Sequence, residues 1–250
     1  MDADRLAARL IEARRSGERI AALADDETPK TAAEGYAVQE AMIHRLGIAV
    51  GGWKVGADNP TAEPQAGPLL VDRLKAGPAS FAMLPNAFRT VEAEIAFIFG
   101  KDLPLRDQPY VEADIWEAIA SLHVGIEILE SSFVERRRLP PNAPLGDLLN
   151  NGGYTYGPAL TDFRALDLVT PQGFVLIDGK EVRRAKSGTP GGAPGRLMAW
   201  LANHAAGRGR PLKRGDIVTT GSHTGMLDAP AGAHVTARFE GIGEASLIFA

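Results

Sequence analysis

The run Val91-Glu92-Ala93-Glu94-Ile95-Ala96-Phe97-Ile98-Phe99 has the composition of a buried strand, yet it carries two carboxylates. Side chains alternate across a strand with a period of two. Glu92 and Glu94 therefore share a face with Ala96 and Ile98, while Phe97 and Phe99 line the other. Two anions so close, beside apolar neighbours, repel each other and lose hydration. One solution is a solvent-facing strand whose even face is wet. The other is a strand covered on both sides, with a polar mouth at one end and a divalent cation between the carboxylates. A third carboxylate, Glu127, stands in a second strand-like run, His123-Val124-Gly125-Ile126-Glu127-Ile128-Leu129-Glu130. Three carboxylates with room left for water and substrate make a magnesium-type site. Taken alone, Glu127 reads more simply as an exposed residue of an edge strand. Gly125, on its face, leaves space for a close neighbour or ligand. His123 reads as a ligand or, more simply, as a hydrogen-bonded core histidine, and Glu130, on the opposite face, as a surface residue or one standing behind the ligands.

The 250-residue chain can bury a large core and lies near the upper size for one compact domain, so a single domain over 1–250 is expected. Its composition, 45% hydrophobic and 23% charged, is that of a soluble globular protein. A net charge of -4 with no basic stripe predicts no nucleic-acid partner. The cluster Arg136-Arg137-Arg138 follows Glu135 and reads as a solvated loop. The absence of cysteine excludes disulfides, thiolate metal sites and cysteine nucleophiles. The N-terminus lacks the apolar core of a signal peptide, and no apolar run is long enough to span a bilayer. A cytoplasmic protein without a membrane partner is expected.

Apolar spacing predicts a first helix over Asp4 to Arg15 and a second from Thr31 to Leu46, so that a helical portion occupies about 1–50. The second is marked by a capping-box pair, Thr31 and Glu34, and by Gly47 as a stop. The Gly- and Pro-rich text up to about residue 85 reads as loops joining short strands. Further strands are expected at Val91–Phe99, Val124–Leu129, Gly173–Ile177, Val182–Arg184, Ile217–Thr220, His234–Phe239 and Ala245–Phe249, with Asp178-Gly179 as a hairpin turn. Helices are expected at Val111–Leu122 and Pro194–Ala206. Helices and strands do not alternate regularly, which disfavours a doubly wound parallel sheet. The expected fold is α+β, with two N-terminal helices packed outside a curved mixed sheet.

Other polar residues have two readings each. Lys54, in Gly51-Gly52-Trp53-Lys54-Val55-Gly56, either snorkels to solvent or points at an anion. Asp72 reads as a helix cap or a surface ion-pair partner. Asp147-Leu148-Leu149-Asn150-Asn151-Gly152-Gly153 reads first as a turn and alternatively as a hydrogen-bonding wall for a small polar substrate. Thr219-Thr220-Gly221-Ser222-His223-Thr224-Gly225 is a glycine-bounded turn or a loop presenting amides and hydroxyls to an anion.

In this order, Gly52-Trp53-Lys54-Val55-Gly56, Val91-Glu92-Ala93-Glu94-Ile95-Ala96, Gly125-Ile126-Glu127-Ile128, Ala199-Trp200-Leu201-Ala202-Asn203 and Gly215-Asp216-Ile217-Val218-Thr219-Thr220-Gly221-Ser222 resemble the fumarylacetoacetate hydrolase superfamily. The branch they resemble is that of the 2-keto-4-pentenoate hydratases and 4-oxalocrotonate decarboxylases. The resemblance runs from about residue 30 to the C-terminus. It implies a curved mixed sheet of the β-roll type and a divalent cation, Mg2+ or Mn2+, held by Glu92, Glu94 and Glu127. It also implies catalytic roles for Lys54 and Asp72, and substrate contacts from Asn150, Asn151, Gly221 and Ser222. Such enzymes are commonly homo-oligomers, and a decarboxylase–hydratase partner subunit belongs to the same expectation.

The activity implied is hydration of a 2-hydroxy-2,4-dienoate, as in aromatic meta-cleavage degradation. The cation stabilises enolate charge on a chelated 2-oxoacid, and Lys54 adds positive charge there. Asp72 moves protons, first to C5 of the dienol, before water adds at C4 to give a 4-hydroxy-2-oxoacid. Decarboxylation of a longer dicarboxylate is the alternative on the same enolate chemistry, and C–C hydrolysis is disfavoured because no histidine–glutamate lid pair is evident. The chain departs from the hydratases where they have an Asp-Asn-Ala-Ser-Ser type stretch and it reads Asp147-Leu148-Leu149-Asn150-Asn151. That departure also admits a catalytically weakened 2-oxoacid-binding or assembly subunit.

Overall fold

The computed structural model describes residues 1–84, 86–135, 139–185 and 188–250. The Arg136–Arg138 cluster lies outside the described residues. In chain order, helices α1 (Ala3–Ser16) and α2 (Ala32–Leu46) precede strands β1 (Val50–Gly56), β2 (Gln65–Leu70), β3 (Leu74–Ala76) and β4 (Ala79–Phe81). Strand β5 (Thr90–Phe99), helix α3 (Glu112–Ala118), strand β6 (Ile119–Leu129), the single turn α4 (Ala143–Gly146) and strand β7 (Asn151–Tyr156) follow. The C-terminal part holds β8 (Gly173–Ile177), β9 (Lys180–Arg184), α5 (Pro194–Gly207), β10 (Ile217–Ser222), β11 (Leu227–Asp228), β12 (His234–Phe239) and β13 (Gly243–Phe249).

The strands form two sheets. The larger runs β2-β1-β10-β5-β6-β7-β3, with β11 also on β5; the smaller runs β4-β13-β12-β8-β9. Parallel pairs (β1–β10, β3–β7, β4–β13) sit among antiparallel ones, so both sheets are mixed. This is the expected α+β architecture, built from two facing sheets. Odd-numbered residues of β5 and even-numbered residues of β6 pair in register, Ala93 opposite Ile126 and Ile95 opposite Val124. They face the smaller sheet and share one core with Phe81, Val235, Phe239, Leu247 and Phe249. Burial of this face is what forces Glu92, Glu94 and Glu127 to the other, because a one-residue slip would invert every side chain.

The N-terminal helices have a core of their own, in which Leu6, Leu10, Val38 and Met42 meet Leu70, Phe133 and Leu148. Helix α2 begins with the expected capping box, Thr31 accepting from the Glu34 amide and Glu34 from the Thr31 amide. The Asp178-Gly179 turn is present, with positive φ at both residues as a tight hairpin needs. Two expectations are corrected. The helix expected at Val111–Leu122 ends at Ala118, and Ile119 already opens β6. Ile115, Ala118, Ile119 and Leu122 have helical spacing, but the ladder to β5 takes the backbone of the last two. The stretch read as a turn over 147–153 is a turn only to Asn150; Asn151 starts β7, which pairs with both β6 and β3.

Candidate metal centre and active site

The register of the large sheet assembles the site. On its outer face Gly67 (β2) lies opposite Lys54 (β1), Lys54 opposite Thr219 (β10), Thr219 opposite Ala96 (β5), Glu92 opposite Glu127 (β6), and Glu127 opposite Tyr154 (β7). A bulge in β10 after Thr219 sets Ser222 across from Glu94. Residues distant in sequence thus line one strip of strand surface, held in place by the ladder hydrogen bonds between neighbouring strands.

Oxygen atoms of Glu92, Glu94 and Glu127 all lie within 4.8 Å of one another. Glu94 is 1% and Glu127 0% exposed, and Glu92 is half-buried at the mouth. Lys54 Nζ donates to Glu127 Oε1 at 2.7 Å and to the Leu149 carbonyl at 3.1 Å. Asn151 Nδ2 donates to the same Glu127 oxygen at 2.8 Å. Glu127 Oε2 is buried with no hydrogen-bond partner among the described residues. Thr219 Oγ1 donates to Glu94 Oε2.

Burial pushes the Glu92 carboxyl up to about 6, with Glu127 adding repulsion, against the pull of Lys54 and the Ser222 hydroxyl. Glu94 is raised further, by burial and then by Glu127 and Glu92. For Lys54, burial works to lower the ammonium, but attraction from Glu127, Glu94 and Glu92 outweighs it, so the group stays charged. Lys54 offsets one of the three carboxylate charges, and a divalent cation would offset the other two. The orphaned Glu127 oxygen and the all-oxygen donor set fit a divalent ion of the magnesium type.

Above the carboxylates opens a cavity of about 540 Å³. Lys54, Glu92, Glu94, Leu149, Gly221, Ser222 and His223 line it, and the exposed Arg183 and Arg184 stand at its rim. Ser222 Oγ accepts from the Gly225 amide at 2.8 Å, which curls the 222–225 loop. Burial drops the His223 imidazole to about 4, so it is neutral at physiological pH.

Among the expected site residues, Glu92, Glu94, Glu127, Lys54 and Asn151 come together, and Gly221 and Ser222 form the adjoining wall. Asn150 stands one residue from the Leu149 carbonyl, in a left-handed turn with its Oδ1 buried and unpartnered among the described residues. Asp72 is not brought in: it is exposed in a 3-10 turn (Val71–Arg73) and does not line the cavity. The space at Gly125 is used by a neighbour, since a Cβ there would lie 1.9 Å from the Tyr154 hydroxyl. Tyr154 is wholly buried, its phenol pushed far up by burial and by Glu94, with Thr219 as its polar neighbour. Sequence reasoning missed Tyr154, Thr219 as a carboxylate partner, and the Leu149 carbonyl. The period-2 pattern through Gly152-Gly153-Tyr154-Thr155-Tyr156 was a usable signal for Tyr154; a backbone oxygen leaves none. His123 is the structural histidine expected, its ring nitrogens meeting Ser121 Oγ at 2.8 Å and the Gly157 carbonyl at 2.9 Å.

The mixed sheets, the carboxylate triad and the buried lysine define a candidate metal centre at the floor of a cavity of small-molecule size. Residues 78–247 match the fumarylacetoacetate (FAA) hydrolase C-terminal family, and the chain belongs to it. A 2-keto-4-pentenoate hydratase from Burkholderia vietnamiensis is 28% identical over 98% of this chain and 96% of its own. A protein from Pseudomonas putida described as the TodF product hydratase is 31% identical over 96% of this chain and 92% of its own. Among solved structures, 4-oxalocrotonate decarboxylase from Pseudomonas putida G7, complexed with magnesium and adipate, superposes with a TM-score of 0.84. It covers 99% of this chain and 97% of its own at 22% identity, a likeness of fold.

Proposed function

We propose that this chain is a divalent-metal-dependent hydratase that adds water to a 2-hydroxy-2,4-dienoate to give a 4-hydroxy-2-oxoacid. The observation that carries the reading is the Glu92–Glu94–Glu127 triad with a charged Lys54 against it, at the floor of an open cavity. The hydratase names of full-length relatives support it. Glu92, Glu94 and Glu127 hold the ion, magnesium or manganese, which when bound supplies Lewis acidity to an α-oxoacid. The chain's own groups do the rest. Lys54 keeps its proton and adds fixed positive charge where enolate charge develops. Thr219 and Asn151 orient Glu94 and Glu127, and Tyr154 closes the floor beneath them. Ser222, on Glu92, and the neutral His223 form the polar wall beside the substrate chain.

A second reading, decarboxylation of a dicarboxylate of the 4-oxalocrotonate kind, is favoured by Arg183 and Arg184 at the rim, which offer charge to a second carboxylate. The two are separated by supplying both substrates with Mg2+ or Mn2+ and following diene absorbance and carbon dioxide. Loss of diene absorbance without gas supports the hydratase. Gas from the dicarboxylate alone replaces it with the decarboxylase. No turnover of either, with any divalent ion, refutes both and leaves a 2-oxoacid-binding subunit.

A further inference from the structure

We infer that Arg14, on a helix outside the cavity, is a positioning residue: it clamps the left-handed turn at 148–150 that fixes both Lys54 and Glu127. The inference rests on the proposed reading of Glu127 as a cation ligand and Lys54 as the substrate-side ammonium. Leu148, Leu149 and Asn150 have φ of 53°, 52° and 59°, and none is glycine. Side chains with a Cβ avoid this region, and a succession of three needs an external hold.

Arg14 supplies that hold at both ends of the turn. Its Nε donates to Asp147 Oδ1 at 2.8 Å and its Nη2 to the Asp147 carbonyl at 2.8 Å, just before the turn. Its Nη1 donates to the Asn151 carbonyl at 2.6 Å, just after it. Asp147 is 0% exposed and is steadied from the other side by the Ser132 amide and hydroxyl, both at 2.7 Å. Within the gripped segment the Leu149 carbonyl points to Lys54 Nζ, and at its exit Asn151 points to Glu127. One planar guanidinium therefore sets two contacts of the site, using a fork of donors that a lysine lacks. Gly67 completes the fit, since a Cβ there would come within 2.6 Å of Leu149 Cβ.

The test uses the full chain, as wild type, Arg14→Ala, Arg14→Lys and Arg45→Ala. The last removes the Arg45–Asp4 ion pair between α1 and α2 and leaves the turn alone. The first readout is acetylation of Lys54, followed by peptide mass spectrometry and independent of turnover. Arg14→Ala is expected to speed it severalfold, and Arg45→Ala to leave it unchanged. The second is Mn2+ affinity by titration calorimetry, expected to weaken about tenfold or more in Arg14→Ala, as loss of an outer-sphere support does. Added guanidinium is expected to restore both in Arg14→Ala, which a general loss of helix docking would not allow. Arg14→Lys keeps the charge without the fork and is expected to behave as Arg14→Ala; it carries the comparison if Arg14→Ala does not fold. Wild-type Lys54 reactivity and Mn2+ affinity in a folded Arg14 variant would overturn the clamp. A wild-type chain that binds no Mn2+ and turns over no dienoate refutes the proposed function instead, and Lys54 reactivity still decides the clamp.

Discussion

Glu94 shows how function and stability oppose each other at a single residue. It is buried, its carboxyl is raised by burial and by two neighbouring glutamates, and its relief comes from Thr219 and Lys54. Without metal, Glu94→Gln removes a buried repulsion while keeping shape, so it should stabilise the chain by about 1 kcal/mol. With metal, the same change should cost more than the roughly 10–100-fold in activity that outer-sphere partners carry. Unfolding in the presence of a chelator, set beside dienoate turnover, reads both signs; a Glu94→Gln chain that turns over normally would remove Glu94 from the site. Asp72→Asn, on the exposed turn, should change turnover by less than about threefold, the range of surface substitutions. The Glu92–Glu94 pair was legible in the sequence because a period of two puts both on one face, whereas Glu127 joined them only through the family resemblance. Asp72 was not, because its distance from Lys54 along the chain does not say which way the backbone turns after β2.

Among the elements, β6 and β7 explain most of what the sequence concealed. Ile119 and Leu122 continue a helical spacing from α3, yet the ladder to β5 takes them as strand, so local pattern yields to pairing. The Asn- and Gly-rich start of β7 has turn composition, and only its two neighbouring strands make it extended. This packing makes Gly125 a sharp probe. Gly125→Ala drives a methyl into the Tyr154 hydroxyl and ring and should destabilise by about 1–3 kcal/mol, measured by denaturant unfolding. A neutral result would mean that β7 does not lie where the register puts it. Helix α5 carries a pH dependence of its own. His204 stacks on Trp200 at 4.3 Å, and burial, then the Arg208 charge, lowers its imidazole to about 4. Its neutral form is favoured on folding, so the stability it contributes is complete above about 6.5 and is lost as pH falls towards 4. In metal-free protein Glu92 acts oppositely, its raised carboxyl giving most stability below its unfolded value of 4.5 and losing it as pH rises through about 6. Comparing wild type with His204→Phe isolates the histidine: the variant should lose less stability between pH 6.5 and 4, and parallel curves would refute the assignment.

At the scale of the whole molecule, the site belongs to more of the chain than the family match covers. Residues 78–247 supply the three carboxylates, but Lys54 comes from β1, the inner strand that joins β2 to β10, and the hold on the 148–150 turn comes from α1. Two of the hydrophobic clusters, one between the sheets and one under the N-terminal helices, both pack against Val50 of β1. No helix among the described residues is long and apolar enough to cross a membrane. A cation bound at the triad draws on both, because Glu127 is braced by Lys54 from β1 and by Asn151 from the clamped segment. Metal binding should therefore stabilise the chain as one unit. With Mn2+ or Mg2+ at a hundred times its dissociation constant, linkage gives about 2.7 kcal/mol. For a chain of this size each kcal/mol moves the melting temperature by roughly 2–4 °C, so a single transition should rise by roughly 5–10 °C. A chelator should reverse the shift, and Glu94→Gln should abolish it while melting higher than metal-free wild type. Two transitions, with only one moved by metal, would show instead that the N-terminal helices fold independently of the site, and that bracing by Lys54 and Asn151 does not couple them to it.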